Sequence, residues 1–223
     1  MSKNTPMAYI KPNESVFIPG RNGSGKSFLA QKYLSRYPAV FALDSKGDLE
    51  WNEIPKNQLN IITSLNDLEY AGKDATCKVV YRPDIEEMKT EYYEEFFRYL
   101  YFRQNCITWV DEVMAICPNA YQIPEYYKGI LTRGRSRNTA AWSLSQRPAG
   151  IPNVIMSESK HFFVFDLNMV ADRDRVAKIS GCPELLTLPN KEAHSRGLKG
   201  DFYFWYYFIT WERARLGMMQ ERG

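Results

Sequence analysis

Residues 15–36, SVFIPGRNGSGKSFLAQKYLSR, constrain the fold of this chain more than any other stretch. An apolar run, Val16-Phe-Ile-Pro19, enters the segment Gly20-Arg21-Asn22-Gly23-Ser24-Gly25-Lys26-Ser27. Helical spacing through Phe28, Leu29 and Tyr33 begins at once. A tight turn needs one or two glycines, and here three fall within six positions around a single lysine. Strand, G-x-x-x-x-G-K-S and helix in that order make a phosphate-binding loop. Small residues let successive backbone N–H groups turn inward as an anion nest, and the positive end of the following helix adds to the field. The stretch Gly20 to Phe28 is therefore predicted to hold a nucleotide. Lys26 is expected to reach the β- and γ-phosphates, and the Ser27 hydroxyl to ligate Mg2+.

The rest of the chain repeats the strand-then-helix order. Strands are predicted at Ala39–Leu43, Leu59–Thr63, Cys77–Tyr81, Ile107–Val110, Thr139–Ser145 and His161–Leu167. Between and after them come helical patterns at Asn66–Tyr70, Glu86–Gln104, Pro124–Thr132 and Val170–Ile179. The segment Ser195–Phe202 reads as a hairpin leading into the aromatic strand Phe202–Phe208. Alternating strands and helices predict an α/β fold, a mostly parallel sheet covered on both faces. With 223 residues and no repeat or linker-like composition, one domain is expected over 1–223. Its core would span about 15–210, with a short tail at 211–223.

Composition excludes several classes. No apolar stretch approaches the ~20 residues of a bilayer crossing, and residues 1–15 lack the apolar segment of a secretory signal. An intracellular protein without a membrane span is expected. Cys77, Cys106, Cys117 and Cys182 are scattered, with only His161 and His194 beside them, so buried thiols are expected rather than a zinc site. The net charge of +3 is too small to identify a partner. Its distribution says more: from Tyr126 to Ser157 there is no acid, while Lys128, Arg133, Arg135, Arg137 and Arg147 all fall inside.

Two further segments carry chemistry. Cys106-Ile-Thr-Trp-Val-Asp111-Glu112 is an apolar strand that delivers two acids to the edge of a parallel sheet where ligands collect. Asp111 is predicted to hold the Mg2+ shell and Glu112 to polarise an attacking water. Adjacent acids suit hydrolysis better than phosphorylation of a metabolite. The strand ending in Gln146-Arg147-Pro148 places the Gln146 amide near the γ-phosphate, if the two strands are neighbours, as a sensor. Before it, Arg133, Arg135 and Arg137 form a basic segment, read either as a solvated loop or as the source of an arginine finger that reaches a neighbouring subunit's nucleotide.

The phosphate loop, the strand FALDSKGDL, the Asp-Glu strand and the segment GRSRN…SLSQRP together resemble the FtsK–HerA superfamily of DNA-pumping ATPases over roughly residues 15–165. The small size is most similar to the genome-packaging ATPases of membrane-containing, double-jelly-roll viruses. The resemblance implies a RecA-like P-loop fold ending in an antiparallel strand pair, ATP hydrolysis at subunit interfaces and a pentameric or hexameric ring around double-stranded DNA. It also implies a place in the host cytoplasm or on the virion, with a capsid vertex as a further partner. Arg135 best matches the family's glycine-arginine position, with Arg133 and Arg137 as alternatives. Asp44 and Lys46 follow the second strand as in many relatives, although a simple turn explains SKGD equally well. Two other readings stay open: a filamentous-phage assembly ATPase of the zonula-occludens-toxin type, and a slow nucleotide-dependent switch. No residue is assigned to DNA contact.

Overall fold

The computed structural model describes residues 8–219. Its strands are β1 (Val16–Pro19), β2 (Ala39–Leu43), β3 (Leu59–Ile62), β4 (Cys77–Tyr81), β5 (Ile107–Val110), β6 (Ala140–Ser145), β7 (His161–Val164), β8 (Tyr203–Phe208) and β9 (Arg215–Met218). They form one sheet in the order β3-β4-β2-β5-β6-β1-β7-β8-β9. All pairings from β3 through β7 are parallel, and β8 and β9 join antiparallel at the far edge. The fold is the expected α/β architecture with a C-terminal antiparallel pair.

The pleat divides the core into two layers, because successive side chains in a strand point to opposite faces. Val16 and Ile18 of β1, with Val40 and Ala42 of β2, pack with Leu29, Ala30, Tyr33 and Leu34 of α1 (Lys26–Leu34). Phe17, Phe41 and Leu43 face the other way. There they meet Phe96, Phe97 and Leu100 of α3 (Thr90–Arg103), after the short α2 (Leu68–Ala71), and Tyr127 and Ile130 of α4 (Glu125–Arg133). Burying each of these phenylalanines contributes about 1.5–3 kcal/mol, so the aromatic repeat of α3 first of all serves the core. Further along come α5 (Asn153–Ser157), α6 (Val170–Ser180) and α7 (Pro189–Ser195). All four cysteines are buried.

Two expectations need correction. Ser195 does not open a hairpin: it closes α7, which has proline in its first turn, and Gly197 follows at φ 75° as the chain turns away. Proline at the start and glycine past the end are helix signals, and here the glycine ends a helix rather than making a β-turn. The hairpin lies after β8 instead, and β9 falls inside the stretch 211–223 expected as a tail. The part of that stretch beyond Met219 lies outside the described residues.

Candidate nucleotide-binding site

β1 sits between β6 and β7, with Pro19 opposite Ser145, so the glycine loop leaves the C-terminal edge of the parallel sheet. Gly20 N–H is held by Ser145 O at 3.1 Å and Arg21 N–H by Asp166 O at 2.9 Å. Each glycine has its own reason. A Cβ on Gly20 would lie 2.6 Å from Phe165 Cβ and 2.7 Å from Ser24 Oγ, while Gly23 and Gly25 take φ of 69° and 95°. Those last two values belong to the left-handed region that other residues disfavour. Gly25 is also the N-cap of α1, whose first-turn N–H groups lack intrahelical acceptors.

A cleft of about 680 Å³ opens above this loop. Asn22 to Phe28 line it from below, joined by Lys46, Asp111 and Gln146, and Phe202 and Met219 arrive from the C-terminal strands. Gly20 and exposed Arg21, expected to hold the nucleotide, do not line the cleft, and Arg21 takes part through its carbonyl. That carbonyl accepts a 2.8 Å hydrogen bond from Lys26 Nζ. Burial lowers the Lys26 pKa to about 8, with the Lys46 charge acting in the same sense and Glu112 and Asp111 opposing it. Ser24 Oγ is buried with no hydrogen-bond partner among the described residues. A buried ammonium and an unpartnered buried hydroxyl beside a helix N-terminus suit a polyanion.

The Ser27 hydroxyl donates to Asp111 Oδ1 at 2.8 Å, which joins residues 84 positions apart in sequence. Burial raises the Asp111 pKa, and the Ser27 hydrogen bond and the charges of Lys46 and Lys26 oppose the rise. Mg2+ takes one or two protein oxygens and completes its shell with phosphate and water, so this hydroxyl–carboxylate pair fits it. Glu112 caps the turn that follows β5, its Oε1 accepting from Met114 N–H at 3.4 Å. Its Oε2 meets Lys46 Nζ at 3.4 Å, and Glu112 does not line the cleft.

Gln146 directly follows β6 and lines the cleft, and β5 and β6 are neighbours in the sheet. The arginine segment lies elsewhere. Gly134–Arg137 forms a 3₁₀ turn before β6, at the N-terminal edge of the sheet. A six-residue strand separates it from the cleft, on the order of 20 Å. Its glycine is required, since a Cβ on Gly134 would sit 2.3 Å from Thr139 O. Arg133 and Arg135 are exposed. The Arg137 guanidinium stacks 4.0 Å from the Tyr101 ring and donates to Tyr101 O at 3.3 Å. Arg137 is committed within its own chain, whereas Arg133 and Arg135 project outward.

Three supporting contacts escaped sequence reasoning. Asp44 accepts from Gly47 N–H, Leu49 N–H and Arg82 Nε at 2.8, 3.1 and 2.8 Å, which braces the loop carrying Lys46. SKGD is thus a turn, and it aims a lysine at the site. Asp172 of α6 accepts from Ala149 N–H at 2.9 Å and pairs with Arg147 at 3.2 Å, fixing the exit from β6. Phe202 and Met219 close one side of the cleft. Of these, the sequence shows only the SKGD turn after the second strand, with Asp44 and Lys46 in it.

The fold and site define a P-loop protein with a parallel sheet and a C-terminal antiparallel edge. No protein-family model matches the chain, and comparison with curated sequences finds no relative. Solved structures do match. The genome-packaging NTPase B204 of Sulfolobus turreted icosahedral virus 2, in complex with sulfate, superposes with a TM-score of 0.69 at 15% identity, covering 96% of this chain and 100% of that one. B204 of Sulfolobus turreted icosahedral virus, described as a DNA-packaging ATPase, gives 0.67 at 14% identity, over 95% and 100%. The pCW3 conjugation coupling protein TcpA gives 0.54 at 14% identity, over 94% of this chain and 61% of that one. At these identities the likeness establishes the fold alone, the mixed α/β fold that these NTPases share.

Proposed function

We propose that this chain hydrolyses ATP and drives double-stranded DNA as one subunit of a ring, the motor of a viral genome-packaging machine. The observation that carries the reading is the Ser27–Asp111 contact beside buried Lys26, at the sheet edge where the glycine loop opens. The fold-level match to packaging ATPases over nearly the whole chain supports the choice among P-loop functions. Among the described residues no helix is long and apolar enough to cross a membrane. The site of action proposed is the host cytoplasm or the virion, at a capsid vertex.

In this reading the N–H groups of the loop and Lys26 bind the phosphates of ATP. Ser27 and Asp111 would hold Mg2+, which supplies positive charge to the phosphoryl oxygens. Glu112 accepts the proton of the attacking water, and Gln146 contacts the terminal phosphate or orients that water. Arg135 acts in trans: an exposed arginine on the order of 20 Å from its own cleft could serve only a neighbour's. DNA is then held through its phosphates, without sequence preference.

The test is steady-state turnover with and without duplex DNA, alongside native mass analysis. DNA-stimulated hydrolysis by a pentamer or hexamer is the expected result. A monomer whose slow turnover ignores DNA would replace the motor with a nucleotide switch.

A further inference from the structure

Lys46 touches the proposed base and faces the cleft at the same time. Its ammonium lies 3.4 Å from Glu112 Oε2, and its side chain, 38% exposed, lines the cleft with Lys26 and Asp111. Both oxygens of Glu112 are thereby occupied, Oε1 by Met114 N–H and Oε2 by Lys46. The backbone beneath Lys46 is fixed, since Asp44 grips Gly47 and Leu49 and is itself held by Arg82. What can move is the four-carbon side chain. A lysine of this kind is a point charge on a flexible stem, able to trade one anionic partner for another.

From this geometry we infer that Lys46 is a positioning residue that partitions between Glu112 and the terminal phosphate of a bound nucleoside triphosphate. The inference rests on the proposed ATP site and deepens it. A γ-phosphate brings about two negative charges into the cleft and draws Lys46 from the single charge of Glu112. The carboxylate is then free to turn toward water only when a triphosphate is present. A diphosphate lacks the attracting group and leaves the Lys46–Glu112 pair in place. The arrangement ties release of the proposed base to the substrate rather than the product.

Binding measurements test this without relying on turnover. ADP and the slowly hydrolysed analogue ATPγS would be titrated calorimetrically into wild type, Lys46→Met, Lys46→Arg, Glu112→Gln and the Lys46→Met/Glu112→Gln double variant. Losing one charge-assisted contact to the terminal phosphate should weaken ATPγS about tenfold in Lys46→Met, with ADP unchanged. Lys46→Arg should retain the preference for the triphosphate. Glu112→Gln removes the competing partner and should tighten ATPγS about threefold, the scale of a partly exposed ion pair. In the double variant that gain should vanish.

Equal weakening of ADP and ATPγS by Lys46→Met would overturn the inference, because Lys46 would then serve the shared phosphates or the fold. Persistence of the Glu112→Gln gain without Lys46 would overturn it too, reducing the effect to removal of a repelling charge. If wild type binds neither nucleotide, the site reading fails with it; if both bind and Lys46 is inert, only this inference falls.

Discussion

The two ends of the sheet bury similar residues and satisfy them in opposite ways. At the C-terminal end, Lys26, Asp111 and Glu112 are 7%, 8% and 8% exposed. There a buried ammonium has one carbonyl partner, Ser24 Oγ has none among the described residues, and all lie at or beside an open cleft. At the N-terminal end, Glu14 and His161 are as deeply buried, at 8% and 3%, yet their polar atoms are matched within the chain. Glu14 is met by Lys160 Nζ at 3.3 Å, Lys11 N–H at 3.3 Å and His161 Nε2 at 3.1 Å. A carboxylate only accepts, so Nε2 carries the proton and Nδ1 accepts from the Tyr206 hydroxyl at 2.9 Å. Burial alone does not mark a site. Buried charge with hydrogen-bonding capacity left for a ligand does.

Mutations at the two ends should therefore separate cleanly. Lys26→Ala should have the largest effect, abolishing tight nucleotide binding, because it removes the charge inside the loop; calorimetry with ADP reads it directly. Arg135→Ala should leave binding near wild type and lower turnover roughly 10³-fold or more, the scale of an arginine finger. Glu112→Gln should keep binding and lower turnover roughly 10²–10⁴-fold, as for a lost general base. Loss of binding there would move Glu112 out of that role.

The smallest effect belongs to the closed pair. His161→Ala should cost about 2 kcal/mol of stability by leaving the Tyr206 hydroxyl without its acceptor and taking one of two donors from Glu14 Oε2, with ADP affinity unchanged. Burial lowers the His161 pKa below its usual 6.5, against the opposing pull of Glu14. The unfolded chain then binds more protons than the folded one below about pH 6.5. Stability should fall as pH drops through that window, and this slope should disappear in the variant. Glu14 works at lower pH. Burial would raise its pKa, but its bonds to His161, Lys11 and Lys160 prevail and lower it, so its contribution is lost only as pH falls below the usual 4.5. A pH slope unchanged by His161→Ala would place the titrating group elsewhere.

What was legible in the sequence follows the range of the interactions. The glycine loop could be read because its demands are local: two left-handed backbones and one close approach within six residues. Asp111 could be read because a fully apolar strand has to end at the sheet edge. Arg82 with Asp44, and Arg147 with Asp172, could not, since 38 and 25 residues separate partners that only the completed fold brings together. Lys46 was visible as part of a turn, but its contact with Glu112 depends on β2 and β5 being neighbours. The C-terminal error had a different cause. Gly197 and Gly200 have positive φ, which suits a hairpin, but the proline in the first turn of α7 makes the stretch before them a helix.

In the proposed ring the cleft and the arginine turn, at opposite edges of the sheet, would be two halves of one active site. Mixing tests it most directly. Glu112→Gln subunits carry an intact arginine and a dead cleft, while Arg135→Ala subunits carry an intact cleft and no arginine to lend. Each variant alone should be nearly inactive. Combined in one ring, an Arg135→Ala cleft beside a Glu112→Gln neighbour should regain turnover, and the recovered activity should peak at intermediate mixing ratios. Inactivity at every ratio, with mixed rings confirmed by native mass analysis, would contradict the account and leave the arginine turn as a surface with another purpose.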